Sequence, residues 1–323
     1  MTTEAQPLRA PRLEGVAPRR FLVAADFSSR AWSVVPLAEA AARAWNAPLD
    51  FVHVDTSSPQ LEEGPAPSRV RLRLGHGSEA VEIEVAEGHD VAATLDTMRR
   101  RVPGSVIALA THGRINLTEM TWGSVCEDLL IGFSAPVLAV GPRYDSDGQI
   151  HRVAACVGPS DVRTNLVADA AAWARRLSCP LTVFAVDRGG QDRTIWPSLL
   201  SLTERLSEDG GHDVSVALAR SHRPAAAITH FARSVPGTLL VMSPRGRTRA
   251  ERRFLGSVTR QVMRHASSGV LLLPQSEIVS ETPSTTDTPI EQGRPADLHD
   301  DYLNWSQESG FVALTEAADE TEG

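Results

Sequence analysis

The sequence predicts an α/β protein with two doubly wound, mainly parallel sheets in tandem, each of five strands. Three observations support this fold class. Short apolar runs alternate with alanine-rich segments of helical periodicity, which is typical of strands joined by helical crossovers. The pattern of residues 19–144 returns in residues 151–275. The length of 323 residues is sufficient for two domains of ordinary size.

The repeat consists of four blocks that occur in the same order in both halves, at an offset of about 132 or 133 positions. The matched pairs are FLVAADFSS (21–29) with VAACVGPSD (153–161), APLDFVHVD (47–55) with CPLTVFAVD (179–187), ATHG…WGS (110–124) with SPRG…LGS (243–257), and SAPVLAV (134–140) with SSGVLLL (267–273). Four collinear matches indicate a tandem duplication. Each half is therefore expected to contain the same order of strands and helices.

The two halves differ after their second strand. In the first half, Val70, Leu72 and Leu74 alternate with polar residues before a GHGS segment, and alternation resumes at 81–85. This pattern predicts a β-hairpin or an added edge strand. The corresponding stretch of the second half, 195–210, has the periodicity of an amphipathic helix.

The two ends of the chain differ in composition from the body. Residues 1–18 lack the apolar core of a secretory signal, so we expect a flexible leader and a cytoplasmic protein. The whole chain carries a formal charge of −8 and the segment 276–323 carries −11, which leaves +3 for residues 1–275. That segment is polar and acidic and is expected to be disordered, although 300–314 has some helical character.

Composition excludes several classes of protein. The chain has no lysine, so neither a P-loop nor a pyridoxal Schiff base can form. Three cysteines without CxxC spacing argue against a zinc site and fit a reducing compartment; each is expected to be a small buried residue. No apolar run approaches the length of a membrane span. The small charge of the body argues against nucleic-acid binding.

Both halves carry a glycine-rich segment between an apolar strand and a helix. In the first half, ATHGRINLTEMTWGSV (110–125) follows the apolar run SVIALA (105–110) and precedes a segment of helical periodicity. Backbone N–H groups at a helix start have no intrahelical partner, and the helix dipole there favours an anion. The spacing therefore predicts a cradle for phosphate.

These segments, together with LVAADFSS, FVHVD, EVAEG and SAPVLAV, resemble the universal stress protein family over roughly 19–144 and again over 151–275. The resemblance implies a Rossmann-like fold akin to the adenine nucleotide α-hydrolases. It also implies ATP binding through a Gly-x2-Gly-x9-Gly-Ser/Thr motif, although some members of the family bind no nucleotide. In both halves only the first glycine of the motif is replaced, by Ala110 and by Ser243.

In the first half the resemblance assigns an acid on the adenine or ribose side to Asp26 and the residue bordering the base to Val54. Gly113 and Arg114 are expected along the phosphates, with the Ser124 hydroxyl and N–H as donors. The full set of residues expected at this site is Ala25, Asp26, Val54, Ala110, His112, Gly113, Arg114, Asn116, Gly123, Ser124 and Val125.

The second half keeps the phosphate motif but has Gly158 where the first half has Asp26, so its choice of base is expected to be less selective. The residues expected at its site are Val157, Gly158, Val186, Ser243, Arg245, Gly246, Arg247, Gly256, Ser257 and Val258. The arginines between 245 and 253 fit phosphate attraction, and they fit a solvated surface paired with carboxylates equally well.

The leading hypothesis is a regulatory protein that binds ATP or a related adenine nucleotide, with at most slow hydrolysis. Mg²⁺, where present, would be held mainly by the nucleotide and water. No catalytic residue is expected, since no nucleophile and acid accompany His112. The alternative is an interaction protein of the same fold that binds no nucleotide; an α-hydrolase ranks last.

The partner protein is not identified by the sequence. The final strand of each half, PVLAVGP or GVLLLPQ, is a candidate for pairing across a two-fold axis. The two halves can satisfy each other within one chain, which gives an intrachain pseudo-dimer, or such chains can associate further as a homodimer.

Overall fold

The protein is described by a computed structural model, which covers residues 17–28, 30–56, 68–73, 80–111, 129, 135–158, 165–188, 203, 206, 213–243, 256–274 and 312–314. Strands alternate with helices in both halves, as predicted. Within these ranges, no helix combines the length and the apolar character needed to cross a membrane.

Within the described residues, the first half contributes six strands and two α-helices whose bounds the structure gives. Its strands are β1 (Arg20–Ala24), β2 (Leu49–Asp55), β3 (Ser68–Arg73), β4 (Ala80–Glu87), β5 (Ser105–Ala110) and β6 (Val137–Val140). Its helices are α1 (Val35–Trp45), which follows a short 3-10 turn at Ala31–Val34, and α2 (Val91–Arg100). Helix α2 begins at Asp90, whose carboxylate accepts a hydrogen bond from the N–H of Ala93 at 3.0 Å.

The second half repeats this order in its described residues, except that β3 has no counterpart and a further helix precedes the last strand. Its strands are β7 (Arg152–Val157), β8 (Leu181–Asp187), β9 (Val214–Arg220), β10 (Thr238–Met242) and β11 (Val270–Leu272). Its helices are α3 (Leu166–Leu177), α4 (Pro224–Ser234) and α5 (Ser257–His265). The duplication extends to backbone conformation, because α1 and α3 end at residues with left-handed φ, Asn46 (φ 50°) and Ser178 (φ 53°).

The two predicted sheets are one continuous sheet of twelve strands, in the order β12-β9-β8-β7-β10-β11-β6-β5-β1-β2-β4-β3. The halves join where β6 and β11 pair antiparallel, with Leu138 opposite Leu271. Both strands are fully buried, so this pairing forms the centre of the sheet. The final strands of the two halves therefore pair with each other within the chain, which is the arrangement expected of an intrachain pseudo-dimer.

The edges of the sheet come from segments outside the repeat. Strand β3 pairs antiparallel with β4, with Val70 opposite Ile83, which confirms the predicted hairpin. At the other edge, β12 (Val312–Leu314) pairs parallel with β9. This short strand lies in the segment 276–323, for which the sequence predicts a disordered chain with some helical character, and it differs from that prediction at three residues. Apolar residues can extend an open edge through backbone hydrogen bonds alone, which periodicity does not reveal.

A hydrophobic core on the α1 and α3 face of the sheet continues across the boundary between the halves. Trp173 of α3 contacts the ring of Phe21 in β1, edge to face, at 6.2 Å between centroids. The opposite face of the sheet is covered by α2, α4 and α5, whose buried residues form a second core with β-strands of both halves. The two halves thus share their cores as well as their sheet.

Candidate functional site

The strand order reverses once in each half, and parallel α/β sheets bind ligands at such points. In the first half the reversal lies between β1 and β5, and in the second half it lies between β7 and β10. Because β6 and β11 are antiparallel, the parallel strands of the two halves run in opposite directions. The carboxyl ends of the strands, where the two reversal points lie, are therefore on opposite sides of the sheet. The protein therefore has two candidate sites that face away from each other.

In the first half, the strand register brings four of the expected residues to one edge. Val23 pairs with Ala108, so Ala25 and Ala110 lie at the same level, at the carboxyl ends of β1 and β5. Ala24 pairs with Val52, so Asp26 and Val54 are level as well. Ala25 and Val54 are buried, and Asp26 is half-buried. The structure thus brings Ala25, Asp26, Val54 and Ala110 together at the reversal point.

The loop after β1 is shaped by the Asp26 carboxylate. Its Oδ1 accepts a hydrogen bond from the N–H of Ser28 at 2.9 Å, and the Ser28 hydroxyl accepts one from the N–H of Ala31 at 3.2 Å. The carboxylate thereby holds a turn that leads into α1. Its second oxygen, Oδ2, has no hydrogen-bond partner among the residues described and is the atom available to a ligand.

Phe27 and His53 form a second feature of this loop that periodicity did not reveal. Phe27 has a left-handed φ of 61°, which is rare for an aromatic residue, and its ring lies 4.2 Å from the ring of His53. The Nδ1 of His53 lies 2.8 Å from the Ala25 carbonyl oxygen, so it donates a hydrogen bond to that oxygen. The sequence feature that could have indicated this contact is an aromatic residue directly after Asp26 together with a histidine directly before Val54.

In the second half, the register places the corresponding residues in the same way. Val241 pairs with Ala155, so Ser243 is level with Val157. Val157 pairs with Ala185, so Gly158 is level with Val186. Gly158 stands where the first half has Asp26, and a carboxylate is absent at that position, as the sequence predicts.

Helix α5 begins at this edge with Gly256, Ser257 and Val258. Gly256 is its N-cap residue, and no side chain caps the helix. The first N–H groups of α5 have no partner within the helix and receive no side-chain cap from Gly256, and a helix start of this kind favours an anion. Ser257 is exposed and Gly256 and Val258 are half-buried, so the helix start is accessible.

Thr259 fixes the position of this helix start. Its hydroxyl donates a hydrogen bond to the carbonyl oxygen of Ser243 at 3.1 Å, and the residue is buried. The contact joins the end of β10 to the first turn of α5 across the glycine-rich segment between them. Thr259 was not predicted from the sequence as a site residue, although it lies only two residues after Ser257.

Ten of the expected site residues lie outside the described part of the chain. In the first half these are His112, Gly113, Arg114, Asn116, Gly123, Ser124 and Val125; in the second half they are Arg245, Gly246 and Arg247. The predicted helices 124–133 and 195–210 are represented by Leu129, Thr203 and Leu206, each of which is helical. Of the three cysteines, Cys156 and Cys179 are buried and form no disulfide within the described residues, and Cys126 lies outside those residues.

Metal ligands do not cluster in the described residues: no group of three or more His, Cys, Asp or Glu side chains is placed to hold an ion. The candidate sites offer backbone N–H groups, hydroxyls and, in the first half, one carboxylate. This donor set suits an anionic ligand with a hydrogen-bonding ring better than it suits a bare cation.

The universal stress protein family model matches the chain twice, over residues 18–141 and 149–274. The chain belongs to the universal stress protein family and contains two copies of its domain. The two matched ranges correspond to the two halves that meet at β6 and β11. No curated protein matches the chain.

Solved structures of similar architecture include further universal stress proteins. A putative universal stress protein from Pseudomonas aeruginosa UCBPP-PA14 is 15% identical to this chain. The match covers 81% of this chain and 95% of that protein, with a TM-score of 0.55. One from Archaeoglobus fulgidus DSM 4304 is 17% identical over 79% of this chain and 96% of its own, with a TM-score of 0.55. A universal stress protein in complex with cAMP is 25% identical over 40% of this chain and 99% of its own, with a TM-score of 0.34.

Proposed function

We propose that this protein binds ATP or a related adenine nucleotide at the reversal points of its sheet and acts as a nucleotide-dependent regulator in a stress response. The observation that carries the proposal is the uncapped start of α5 at Gly256 and Ser257, beside the ends of β7 and β10. Backbone N–H groups at a helix start have no partner within the helix and are suited to a phosphate chain.

The first-half site differs from the second in having an acid. Asp26 Oδ2 is an acceptor on a residue that is level with Val54, where the base or ribose would lie. Acceptors of this kind recognise the amino group of adenine or the ribose hydroxyls. We expect the first half to select the base and the second half, with Gly158, to bind less selectively.

Rapid ATP turnover is not part of the proposal. The chain has no lysine for the phosphates, and its described part has no group of three or more His, Cys, Asp or Glu side chains placed to hold a metal ion. Binding would change the conformation or the choice of partner, with hydrolysis at most slow. Release of phosphate from ATP at a rate typical of efficient ATPases would contradict the expectation that hydrolysis is at most slow.

Equilibrium binding of labelled ATP, with the stoichiometry from native mass spectrometry, tests the proposal. Gly123→Val should remove the first-half site and Gly256→Val the second, because a side chain would obstruct the backbone approach to phosphate. Asp26→Asn should weaken ATP binding to the first half by roughly tenfold. Asp90→Asn is the matched control, because asparagine preserves the N-cap of α2.

The alternative function is an interaction protein that binds no nucleotide, and the replacement of the first motif glycine by Ala110 and Ser243 favours it. The absence of detectable ATP, ADP and AMP binding by the wild-type protein would support this alternative and reject the nucleotide proposal. Equal ATP binding by the wild type and by the Gly123→Val, Gly256→Val double variant would place the nucleotide elsewhere.

A further inference from the structure

Strand β9 lies at one edge of the repeated part of the sheet, and it is less completely covered than its counterpart in the first half. Along its inner side it pairs with β8 at seven positions, from Val214 to Arg220. Along its outer side it pairs with β12 only at residues 217–219. The counterpart strand β4 is covered on its outer side by β3 at six positions. Within the described residues, 214–216 and Arg220 therefore have no strand partner on the outer side of β9.

The strand β12 is a short occupant of this edge and comes from a distant part of the chain. It consists of three residues, Val312–Leu314, and the segment 273–311 separates it from β11 in the sequence. The net contribution of each backbone hydrogen bond is small, because both groups bond to water when the strand is released. Closing a long connection also costs conformational entropy, which three residues of pairing must offset. We therefore expect β12 to exchange with other segments that can pair with β9.

The side chains of β9 favour an apolar occupant at the level of β12. Val216 is buried in the core on the α3 face of the sheet, and Leu218 packs against the same core. Ala217 and Ala219 are buried in the core on the opposite face, which α4 covers. An added strand continues both faces, because its side chains alternate between them. The chain itself places the three apolar residues of β12, VAL, at this level.

Exposed arginines lie at the carboxyl end of the same edge. Arg220 ends β9, Arg188 directly follows β8 and Arg223 directly precedes α4; all three are exposed. Asp187 is buried and its carboxylate lies 3.9 Å from the Nε of Arg220, so it offsets one of the three charges. Because β12 runs parallel to β9, its carboxyl end lies at this end of the edge. In the sequence, β12 is followed by TEAADETEG (315–323), which has four carboxylates and no basic residue. The edge and its occupant are thus complementary in charge as well as in apolar character.

We propose that the outer edge of β9 is a docking site for an extended peptide of a partner protein, in which a short apolar stretch is followed by acidic residues. The apolar stretch adds to the sheet as a parallel strand, and the acids lie beside Arg220. Since β9 has seven residues and β12 only three, a longer partner strand makes more backbone hydrogen bonds than β12 does. The strand β12 is then a competitor within the chain, which occupies the edge until such a partner displaces it. Neither candidate nucleotide site takes part in this docking.

Fluorescence anisotropy of a labelled synthetic peptide, titrated with the full-length protein, tests this proposal. The peptide VTVFVALTEAADETEG has the sequence of residues 308–323 with its first three residues changed, so that its strand extends along residues 214–216 of β9.

The double variant Val312→Pro, Ala313→Pro removes the competing strand from the protein, because proline cannot donate to the ladder and the two positions cover both orientations of the N–H. It should bind the peptide at least about tenfold more tightly than the wild type, since a tethered strand competes at a high effective concentration. Thr285→Pro, Thr286→Pro, in the segment before β12, is the matched control and should bind as the wild type does. Equal binding by the wild type and the Val312→Pro, Ala313→Pro variant, or no binding by that variant, would overturn the proposal.

Changes in the peptide separate the two parts of the recognition without altering the protein. Prolines in the peptide at the positions of Val312 and Ala313 should abolish binding, and undiminished binding would overturn the addition of a strand. Replacing the four carboxylates of the peptide by amides should weaken binding several-fold and remove most of its salt dependence. Equal affinity of the acidic and amide peptides would overturn the role of Arg220.

Light scattering tests whether the partner of this edge is instead a second copy of the chain. The wild-type protein should have the same oligomeric state as the Val312→Pro, Ala313→Pro variant at the concentrations of the peptide titration. A wild-type dimer that becomes a monomer in this variant would overturn the proposal, because β12 would then be exchanged between copies.

Discussion

The indole ring of Trp45 packs edge-on against the indole ring of Trp173, with 5.4 Å between centroids and 65° between planes. Trp45 is the last residue of α1 and Trp173 lies within α3, so the contact joins corresponding helices of the two halves. Arg176 of α3 lies over the Trp45 ring, with its guanidinium carbon 5.2 Å from the centroid. The pseudo-dimer is thus fixed by helix packing as well as by strand pairing.

Trp173→Ala should lower the free energy of unfolding by about 3–5 kcal/mol, because a fully buried indole is replaced by a cavity between the halves. Urea denaturation followed by circular dichroism measures the change. Trp173→Phe should cost much less, since it keeps an aromatic ring and removes an indole N–H that is buried without a partner. A loss below 1 kcal/mol for Trp173→Ala would contradict the shared core.

Asp169→Asn should stabilise the protein at neutral pH. Burial in α3 raises the pKa of Asp169 from 3.8 to about 6, so the folded state binds the proton more tightly than the unfolded chain. The stabilising contribution of this group is complete below pH 4 and is lost as the pH rises to about 6. The gain of Asp169→Asn should therefore be on the order of 2 kcal/mol above pH 6 and fall towards zero near pH 4.

Denaturation midpoints between pH 4 and pH 8 measure this effect, and Asp96→Asn provides a control of opposite sign. Burial raises the pKa of Asp96, but the hydrogen bonds and charges of Arg99 and Arg100 outweigh it and hold the pKa below 3.8. Its carboxylate therefore stabilises the protein at neutral pH, and that contribution is lost only in strong acid. A destabilised Asp169→Asn variant at pH 7 would show that the Asp169 charge is compensated.

Gly148→Ala should destabilise the protein by about 2–4 kcal/mol, because it combines a left-handed backbone with a steric clash. Gly148 has φ 85° and its Cβ would lie 2.4 Å from the Pro36 backbone. Gly104→Ala is the matched control, because its φ of 88° is similar but its nearest contact is 3.3 Å. Thermal denaturation compares the two; equal losses would mean that the connection between the halves can move away from α1.

Thr259→Val should weaken nucleotide binding in the second half and leave the first half unchanged. The substitution removes the hydrogen bond to the Ser243 carbonyl and so releases the start of α5 from β10. We expect a loss of stability of about 1–2 kcal/mol and a several-fold loss of ATP affinity at one of two sites. Thr229→Val is the control, because its hydroxyl bonds within α4 to the Ala226 carbonyl.

Periodicity and the repeat were sufficient to predict most elements of the fold. The alternation of apolar residues such as Val70 and Ile83 with polar residues indicated the β3–β4 hairpin. An edge hairpin has one apolar face and one polar face, which produces this alternation along each strand. The Gly-Ser pair at 256–257 indicated the start of α5, since glycine and serine are both common at the N-cap of a helix. Both features depend only on residues that are close together in the chain, so the sequence is sufficient to predict them.

Other features of the candidate sites were not predictable from the residues. The left-handed Phe27, the His53 ring on the Ala25 carbonyl and the hydrogen bond of Thr259 depend on how separate strands are aligned. The strand β12 depends on an open edge at β9, which exists only after the sheet has formed. Contacts between distant segments have no periodic signal of their own.

The sequence by itself determined that the chain is a duplicated α/β protein with a glycine-rich motif and a strand-end residue, Asp26 or Gly158, in each half, because repeats and short-range spacing are properties of the chain alone. The tertiary structure decided that the two sheets are one and that the two candidate sites face opposite edges. Both follow from the antiparallel pairing of β6 with β11. Long-range pairing selects one arrangement among several that satisfy the same local patterns, so only the folded chain specifies it.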